Sequence, residues 1–290
     1  MRIRLDIAYD GTHFRGWARQ PGLRTVQGTL EDALARIVGP GLLDAGTPGA
    51  GVRLVVAGRT DAGVHASGQV AHVDLDDEQA ARLRARRGRP ERDIIASLAA
   101  RMRGVLGAYS DVTVLRSALA PEGFDARFSA VWRRYRYRLA DEVTGYDPLR
   151  RWNTTSTRGE LDAAAMDAAA RSLIGLHDFA AYCKPREGAT TIRTLLDYRW
   201  RRDEEGVLVA EVKADAFCHS MVRALVGACV AVGEGRLEAS DLVVLRDRLE
   251  RTSEFKVLAA RGLTLTEVGY PAEELLAARA EQTRNRRDLD

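Results

Sequence analysis

The sequence predicts an α/β protein, of the α+β type, built from two similar split β-α-β-β-α-β units with mixed, largely antiparallel sheets around a central cleft. Three observations support this fold class. Some stretches alternate apolar and polar residues as half-buried strands do, others repeat apolar residues with helical spacing, and the same order of elements occurs in both halves. At 290 residues, the chain has the length of one large domain or two ordinary ones.

In the first half, the stretch RIRLDIAY places Ile3, Leu5 and Ile7 on one face of a strand. TVQGTLEDALARIVG predicts a helix, with Thr25 as its N-cap and Gly39 as its stop. Two strands, VRLVVAG and QVAHVDL, then a helix, RDIIASLAARMRGVLG, and a strand, DVTVLRS, complete the first unit.

The second half repeats this order. Its predicted elements are the strand RRYRYRL, the helix LDAAAMDAAARSLIG, a hairpin of TLLDYRWRRD and GVLVAEVKAD, the helix FCHSMVRALVGACVAVG and the strand GLTLTEVGY. We therefore expect an N-terminal lobe over residues 1–118, a C-terminal lobe over 119–272 and a partly disordered tail over 273–290.

Composition excludes several classes of protein. No apolar run approaches the roughly 18 residues of a membrane span, and MRIRLDIAYDG lacks the apolar core of a signal peptide. The three cysteines form no CxxC motif, so neither a zinc knuckle nor a disulfide framework is indicated, and we expect a cytoplasmic protein. A net charge of +3 does not by itself establish nucleic-acid binding.

The stretch GRTDAGVHASG, between two predicted strands of the first half, is the strongest candidate for chemistry. Its three glycines allow unusual backbone angles or close approach to a ligand. From spacing alone, Asp61 in an Asx turn with Arg59 as a surface neighbour stays open. HExxH, GxGxxG, P-loop and GxSxG motifs are absent and the five histidines are scattered, so we expect no metal and no organic cofactor.

Five blocks then carry a resemblance to a known family. YDGTHFRGW, GRTDAGVHASGQVAH, FDARFSAVWRRYRY, GLHDFAAYC and FCHSMVRALVG occur in this order, and together they resemble the tRNA pseudouridine synthase A family from about residue 3 to 271. The resemblance implies the pseudouridine synthase fold and isomerisation of uridine to pseudouridine at positions 38, 39 and 40 in the anticodon arm of tRNA. It also implies a homodimer.

The resemblance assigns roles to five residues. Asp61 matches the catalytic aspartate, as nucleophile or as the base that removes a ribose proton, and Arg223 matches the arginine that keeps this carboxylate ionised from the other lobe. Tyr135 matches the tyrosine that stacks on the substrate, Arg59 the arginine that contacts the flipped nucleotide, and Leu263 the apolar residue that packs on the uracil. Without the resemblance, Tyr135 is as well explained by strand pairing and Leu263 by the core.

Some features depart from the family or leave alternatives. Asp125 stands where histidine is usual and Thr264 where tyrosine is usual, which puts in doubt the shape of the uracil pocket but not the reaction. The arginine-rich segment 82–93 fits either a solvated loop or an RNA-gripping arm.

The rival functions are a non-catalytic RNA-binding protein and a related protein that only assists tRNA folding. RYRYRL lacks the glycine and aromatic spacing of an RNP1 motif.

Overall fold

The computed structural model describes residues 1–39, 51–84, 90–186, 188 and 190–285. The chain divides into two compact units, of which unit 1 comprises Met1–Val131 with Val268–Asp290 and unit 2 comprises Trp132–Glu267. The lobe boundaries that we predicted, at 118/119 and 272/273, stay a proposal. Both units combine helices with sheet strands, which confirms the α/β class.

Unit 1 follows the predicted order with one added helix between its third strand and its second predicted helix. Its elements are β1 (Arg2–Tyr9), α1 (Val26–Val38), β2 (Leu54–Val56), β3 (His65–Asp74), α2 (Asp77–Arg84), α3 (Glu91–Leu106), β4 (Val112–Leu119) and, from the C-terminal segment, α7 (Leu276–Asn285). The strand order is β4-β1-β3-β2, and every pairing in it is antiparallel.

The local signals in the first half are confirmed. Alternate residues of β1 are buried, because side chains on a strand point to opposite faces and one face packs in the core. The Thr25 side chain accepts a hydrogen bond from the Gly28 N–H, and α1 ends at Gly39, whose φ of 82° is a left-handed value that glycine tolerates. α3 covers β4, where the Ser117 hydroxyl donates to the Ile95 carbonyl.

Unit 2 contains the predicted hairpin and helices, together with short elements that the sequence did not indicate. Its elements are β5 (Trp132–Ala140), β6 (Thr155–Ser156), α4 (Ala163–Ser172), β7 (Gly175–Asp178), β8 (Ile192–Arg202), β9 (Leu208–Ala214), α5 (Met221–Gly233), α6 (Ala239–Asp247) and β10 (Leu263–Gly269), which belongs to this unit as far as Glu267. The strand order is β10-β5-β9-β8-β7. β5 pairs antiparallel with β9 and parallel with β6.

Helix α5 is apolar on all sides, as a helix enclosed by other elements should be. All of its residues except Arg223 are buried. The prediction started this helix at Phe217, but in the structure it starts at Met221. The preceding residues form a turn in which the Met221 N–H donates to the Cys218 carbonyl, and Ser220 adopts a left-handed φ of 63°.

The sequence indicated no disulfide framework, but the structure contains a disulfide. Cys183 and Cys218 are joined as a disulfide, with a Cα–Cα distance of 5.7 Å, whereas Cys229 is a free, buried thiol. The two bonded residues are 35 positions apart, so their spacing in the sequence gave no indication of the pairing. Cys183 lies in the segment before β8 and Cys218 in the segment after β9, and the fold brings these two segments together.

A buried carboxylate, Asp141, joins three segments of unit 2. Its side chain is fully buried and accepts hydrogen bonds from the Leu161 N–H at 3.0 Å and from Arg202 Nη2 at 2.6 Å. Burial opposes ionisation, but the hydrogen bonds from Arg202 and from the Leu161 and Thr144 N–H groups outweigh it and lower the pKa of Asp141 to about 2.

This ion pair gives an expected acid dependence of stability. A carboxyl group whose pKa is lower in the folded than in the unfolded chain stabilises the fold above its unfolded pKa, about 4, and loses that effect as the pH falls towards 2. We expect Asp141 to contribute about 2 kcal/mol of such acid-sensitive stability. Urea unfolding from pH 5 to pH 2.5 should therefore show a smaller decline for Asp141→Asn than for the wild type. Asp197→Asn, at a surface ion pair with Arg199, is the control and should follow the wild type.

Within the described ranges, every helix is too short or too polar to cross a membrane.

Candidate active site

The GRTDAG loop of unit 1 connects β2 to β3 and is held by the segment that follows β1. The Trp17 N–H donates to the Thr60 carbonyl at 3.0 Å, and the Gly11 N–H donates to Nδ1 of His65 at 3.0 Å. A Cβ atom on Gly11 would lie 2.0 Å from the carbonyl oxygen of Val64, so only glycine permits this approach. The first two blocks of the resemblance therefore form one local structure.

Burial alternates across the three central residues of this loop. Thr60 is buried, whereas Arg59 on one side is exposed and Asp61 on the other is half-buried. Thr60 is thus the buried anchor of the loop, whereas Arg59 is exposed and Asp61 is partly accessible. Both lie on this one turn, and their membership of a common active site stays a prediction.

A buried hydroxyl network anchors Thr60. The Tyr9 hydroxyl lies 2.8 Å from Oγ1 of Thr60, and Nε2 of Gln69 donates both to the Tyr9 hydroxyl at 3.2 Å and to the Gly58 carbonyl at 2.9 Å. Burial raises the pKa of Tyr9 to about 12, against the opposing effect of the hydrogen bonds with Thr60 and Gln69, so this tyrosine stays neutral at physiological pH. The alternation in RIRLDIAY predicts only a strand here, and it cannot reveal the hydrogen bonds of the Tyr9 hydroxyl.

We expect Tyr9→Phe to destabilise the loop without creating a cavity in the core. The ring still fills its place, but Thr60 and Gln69 each lose a buried partner, which costs about 1–3 kcal/mol. Urea unfolding should show a lower midpoint with an unchanged slope. Tyr109→Phe, at a fully exposed tyrosine of the same unit, is the control and should leave the midpoint within error. An unchanged midpoint for Tyr9→Phe would contradict the anchoring role.

In unit 2, Tyr135 lies on the buried face of β5. Its ring meets the ring of Phe217 edge to face, with centroids 5.1 Å apart and planes at 89°. Its exposed fraction is 8%. Phe217, which the sequence predicts to lie in a helix, thus supports this tyrosine from the turn before α5.

Arg223 lies in the first turn of α5, and its orientation is fixed by the backbone opposite. Its Nε donates to the Leu258 carbonyl at 2.6 Å, and the Leu258 N–H donates back to the Arg223 carbonyl at 3.2 Å. The approach depends on Gly227, one turn later, where a Cβ atom would lie 1.8 Å from the carbonyl oxygen of Lys256. Leu263, five residues beyond Leu258, is buried with an exposed fraction of 5%.

Tyr137, which shares a strand face with Tyr135 and for which the sequence predicts no role, lies near Arg223. Its hydroxyl lies 2.9 Å from both Oγ1 of Thr155 and the Ala259 carbonyl. Burial raises the pKa of Tyr137 to about 12, opposed by the hydrogen bond with Thr155 and by the positive charges of Arg223 and Arg261. Unit 2 therefore places the Arg223 cation close to the aromatic face of β5.

Asp125, a departure from the family pattern, has partners within unit 1. Its carboxylate accepts hydrogen bonds from the N–H groups of Arg127 and Phe128, both at 2.9 Å, and pairs with Arg284 of α7 at 2.8 Å. It therefore caps a turn and attaches the C-terminal helix.

Two further predictions concern the arginine-rich segment and a metal site. In the arginine-rich segment, Arg82 pairs with Glu78 and Arg84 with Glu91, but residues 85–89 lie outside the described residues, so both interpretations of the segment stay open. Among the residues that the structure describes, no three His, Cys, Asp or Glu side chains are grouped as ligands of a metal ion.

Similarity to known proteins identifies the family of this chain. A family profile described as tRNA pseudouridine synthase matches residues 169–271. The tRNA pseudouridine synthase A of Leifsonia xyli subsp. xyli is 62% identical over 289 residues, covering 99% of this chain and 98% of that protein. The proteins of the same name from Frankia casuarinae and Streptomyces griseus subsp. griseus are 54% and 50% identical, covering 98% and 100% of this chain and 94% and 95% of theirs. The chain belongs to the tRNA pseudouridine synthase A family.

Proposed function

We propose that this protein isomerises uridine to pseudouridine in tRNA, with Asp61 as its catalytic residue. The observation that carries the proposal is the GRTDAG loop, in which buried Thr60 is anchored by Tyr9 while Asp61 stands half-buried beside it. Relatives of 62% and 54% identity that cover nearly the whole chain bear the name of this activity, which supports the same reaction class here.

The reaction needs no oxidant, reductant or added atom. The N1–C1′ bond of uridine breaks, a bond forms between C5 and C1′, C5 loses its proton and N1 gains one. An ionised carboxylate can serve this exchange in two ways, as a covalent nucleophile or as the base that removes a ribose proton. The proposal covers both routes.

The remaining site residues follow from the need to take the uridine out of its stack. A nucleotide must leave the helix before a side chain can reach C1′, and the enzyme must then hold the extruded base by stacking and by contacts with its neighbours. We assign stacking to Tyr135, which Phe217 supports, contact with the flipped nucleotide to the exposed Arg59, and packing on the uracil to Leu263. Arg223, whose guanidinium is oriented by Leu258, supplies positive charge.

The substrate is the anticodon arm of tRNA, at positions 38, 39 and 40, and the working form is a homodimer in the cytoplasm. These finer points extend the resemblance in the five sequence blocks. Binding of the tRNA backbone, in particular, is consistent with 44 basic residues, nearly all arginine, because the planar guanidinium binds phosphate oxygens in pairs.

Release of tritium from tRNA labelled at uridine C5 tests the function directly, because each turnover exchanges the C5 hydrogen with water. We expect release in proportion to pseudouridine formed, and none from a matched tRNA with cytidine at positions 38, 39 and 40. A protein that binds tRNA but releases no tritium from any tRNA would instead be a non-catalytic RNA-binding or tRNA-folding protein. Release that persists with the cytidine-substituted tRNA would keep the reaction but refute the positions.

A further inference from the structure

The disulfide of unit 2 lies at the entrance to helix α5. Cys183 follows a short helical turn, Ala180–Tyr182, and is buried, whereas Cys218 lies three residues before α5 and is half-buried. Their Cα atoms are 5.7 Å apart, a separation usual for disulfides. Beside them, the Lys184 N–H donates to the His219 carbonyl at 2.9 Å. One covalent bond and one hydrogen bond therefore attach the same two segments.

The segment attached at Cys218 carries two residues that support or belong to the candidate site. Phe217 precedes it and packs against the Tyr135 ring, and Arg223 follows it in the first turn of α5. Between them, Ser220 holds a left-handed φ of 63°, a conformation that residues other than glycine keep only with support from the surrounding structure. A bond at Cys218 supplies such support.

We propose that Cys183 and Cys218 form a reversible thiol–disulfide pair, whose bonded state holds the segment from Phe217 to Arg223 in place. The oxidant is a disulfide of a small thiol, and the reductant is the same class of thiol. Disulfides outside small secreted domains are often redox-responsive and not purely structural. The inference concerns the covalent state of the chain and does not depend on the proposed reaction.

The exchange balances without another reactant. The more accessible Cys218 attacks the small disulfide as its thiolate, forms a mixed disulfide and releases one small thiol. Cys183 then attacks the Cys218 sulfur, forms the protein disulfide and releases the second small thiol. The two cysteine sulfurs lose two electrons to the small disulfide, and the two thiol protons end on the released thiols.

The first test counts thiols in the purified full chain under denaturing alkylation, after equilibration with glutathione disulfide or with dithiothreitol. With its three cysteines, the wild type should show one free thiol, at Cys229, in the first case and three in the second. A peptide linked through Cys183 and Cys218 should appear only in the first. Three free thiols in excess glutathione disulfide, or only glutathione adducts, would overturn the proposal.

The second test asks whether the bond holds the segment. Hydrogen–deuterium exchange in the peptide 215–224 should be at least about fivefold slower in the oxidised wild type than in the reduced one, and the melting temperature should be higher by on the order of 5 to 10 °C, because the bond closes a loop of 35 residues. Cys229→Ala should keep both differences, and Cys183→Ser and Cys218→Ser should lose both. Equal exchange and equal melting in the two states of the wild type would refute the holding role without relying on any variant.

Discussion

Asparagine in place of Asp61 is expected to abolish turnover while leaving the folded protein and most of its tRNA affinity unchanged. The amide keeps the size and shape of the side chain but can serve neither as nucleophile nor as base, so tritium release should fall by at least about 10³-fold. Thr60, Tyr9 and Gln69 anchor the loop from its buried side, and this substitution changes none of them. The melting temperature should therefore stay within about 2 °C of the wild type.

The control for this prediction removes the same charge elsewhere in unit 1. Asp74, at the end of β3, forms an exposed ion pair with Arg2, and Asp74→Asn should retain turnover within about threefold. Filter binding at several salt concentrations should give the same salt dependence for both variants, since neither removes a contact with phosphate. Turnover of Asp61→Asn within tenfold of the wild type would refute the assignment of the catalytic residue.

The elements that the sequence predicted are those with strong local signals. β1 follows from alternation alone, and α1 from its apolar spacing between a threonine cap and a glycine stop. β6 and β7 have only two and four residues, too few for alternation to be recognised. α7 has a polar composition, and it is attached by contacts that are remote in sequence, among them Arg284 with Asp125, 159 positions earlier in the chain. Composition alone favoured disorder for the tail that contains it.

The candidate site also has parts that the sequence predicts and parts that it does not. Asp61 and Arg59 are identified by a motif, and the turn that carries them is fixed by residues of two neighbouring blocks. The support behind that turn is not visible in the sequence, because Tyr9 and Gln69 each look like ordinary strand residues until the fold brings their polar atoms together. The start of α5 was placed four residues too early for a related reason. The Cys218 turn depends on tertiary contacts that helical spacing does not encode.

Methionine in place of Arg223 is expected to lower turnover by about 10²- to 10³-fold with little change in the KM for tRNA. Loss of a positive charge that acts mainly in the transition state reduces kcat, whereas loss of a ground-state phosphate contact would raise KM. Arg223→Lys should recover only part of the activity, since an ammonium keeps the charge but cannot combine the Nε hydrogen bond to Leu258 with the planar fork of the guanidinium.

The matched control for Arg223 is Arg261. Both cations lie near enough to Tyr137 to influence its pKa, but Arg223 belongs to α5 and hydrogen-bonds Leu258, whereas Arg261 lies in the short turn Ala260–Gly262 before β10. Arg261→Met removes the same charge from the same neighbourhood and should keep kcat within about threefold. Equal losses in the two variants would show that Arg223 contributes only to the general positive field of unit 2.

A double variant then distinguishes a shared role from two independent ones. If Arg223 acts by favouring the ionised carboxylate of Asp61, its charge has nothing left to act on in Asp61→Asn. The double variant Asp61→Asn with Arg223→Met should then be no slower than Asp61→Asn alone, because residues that act as a unit are strongly non-additive. Single-turnover tritium release at saturating tRNA measures the residual rates. A further loss of about 10²-fold in the double variant would mean that Arg223 serves the bound tRNA by a route separate from Asp61, and the pairing of the two residues would have to be abandoned.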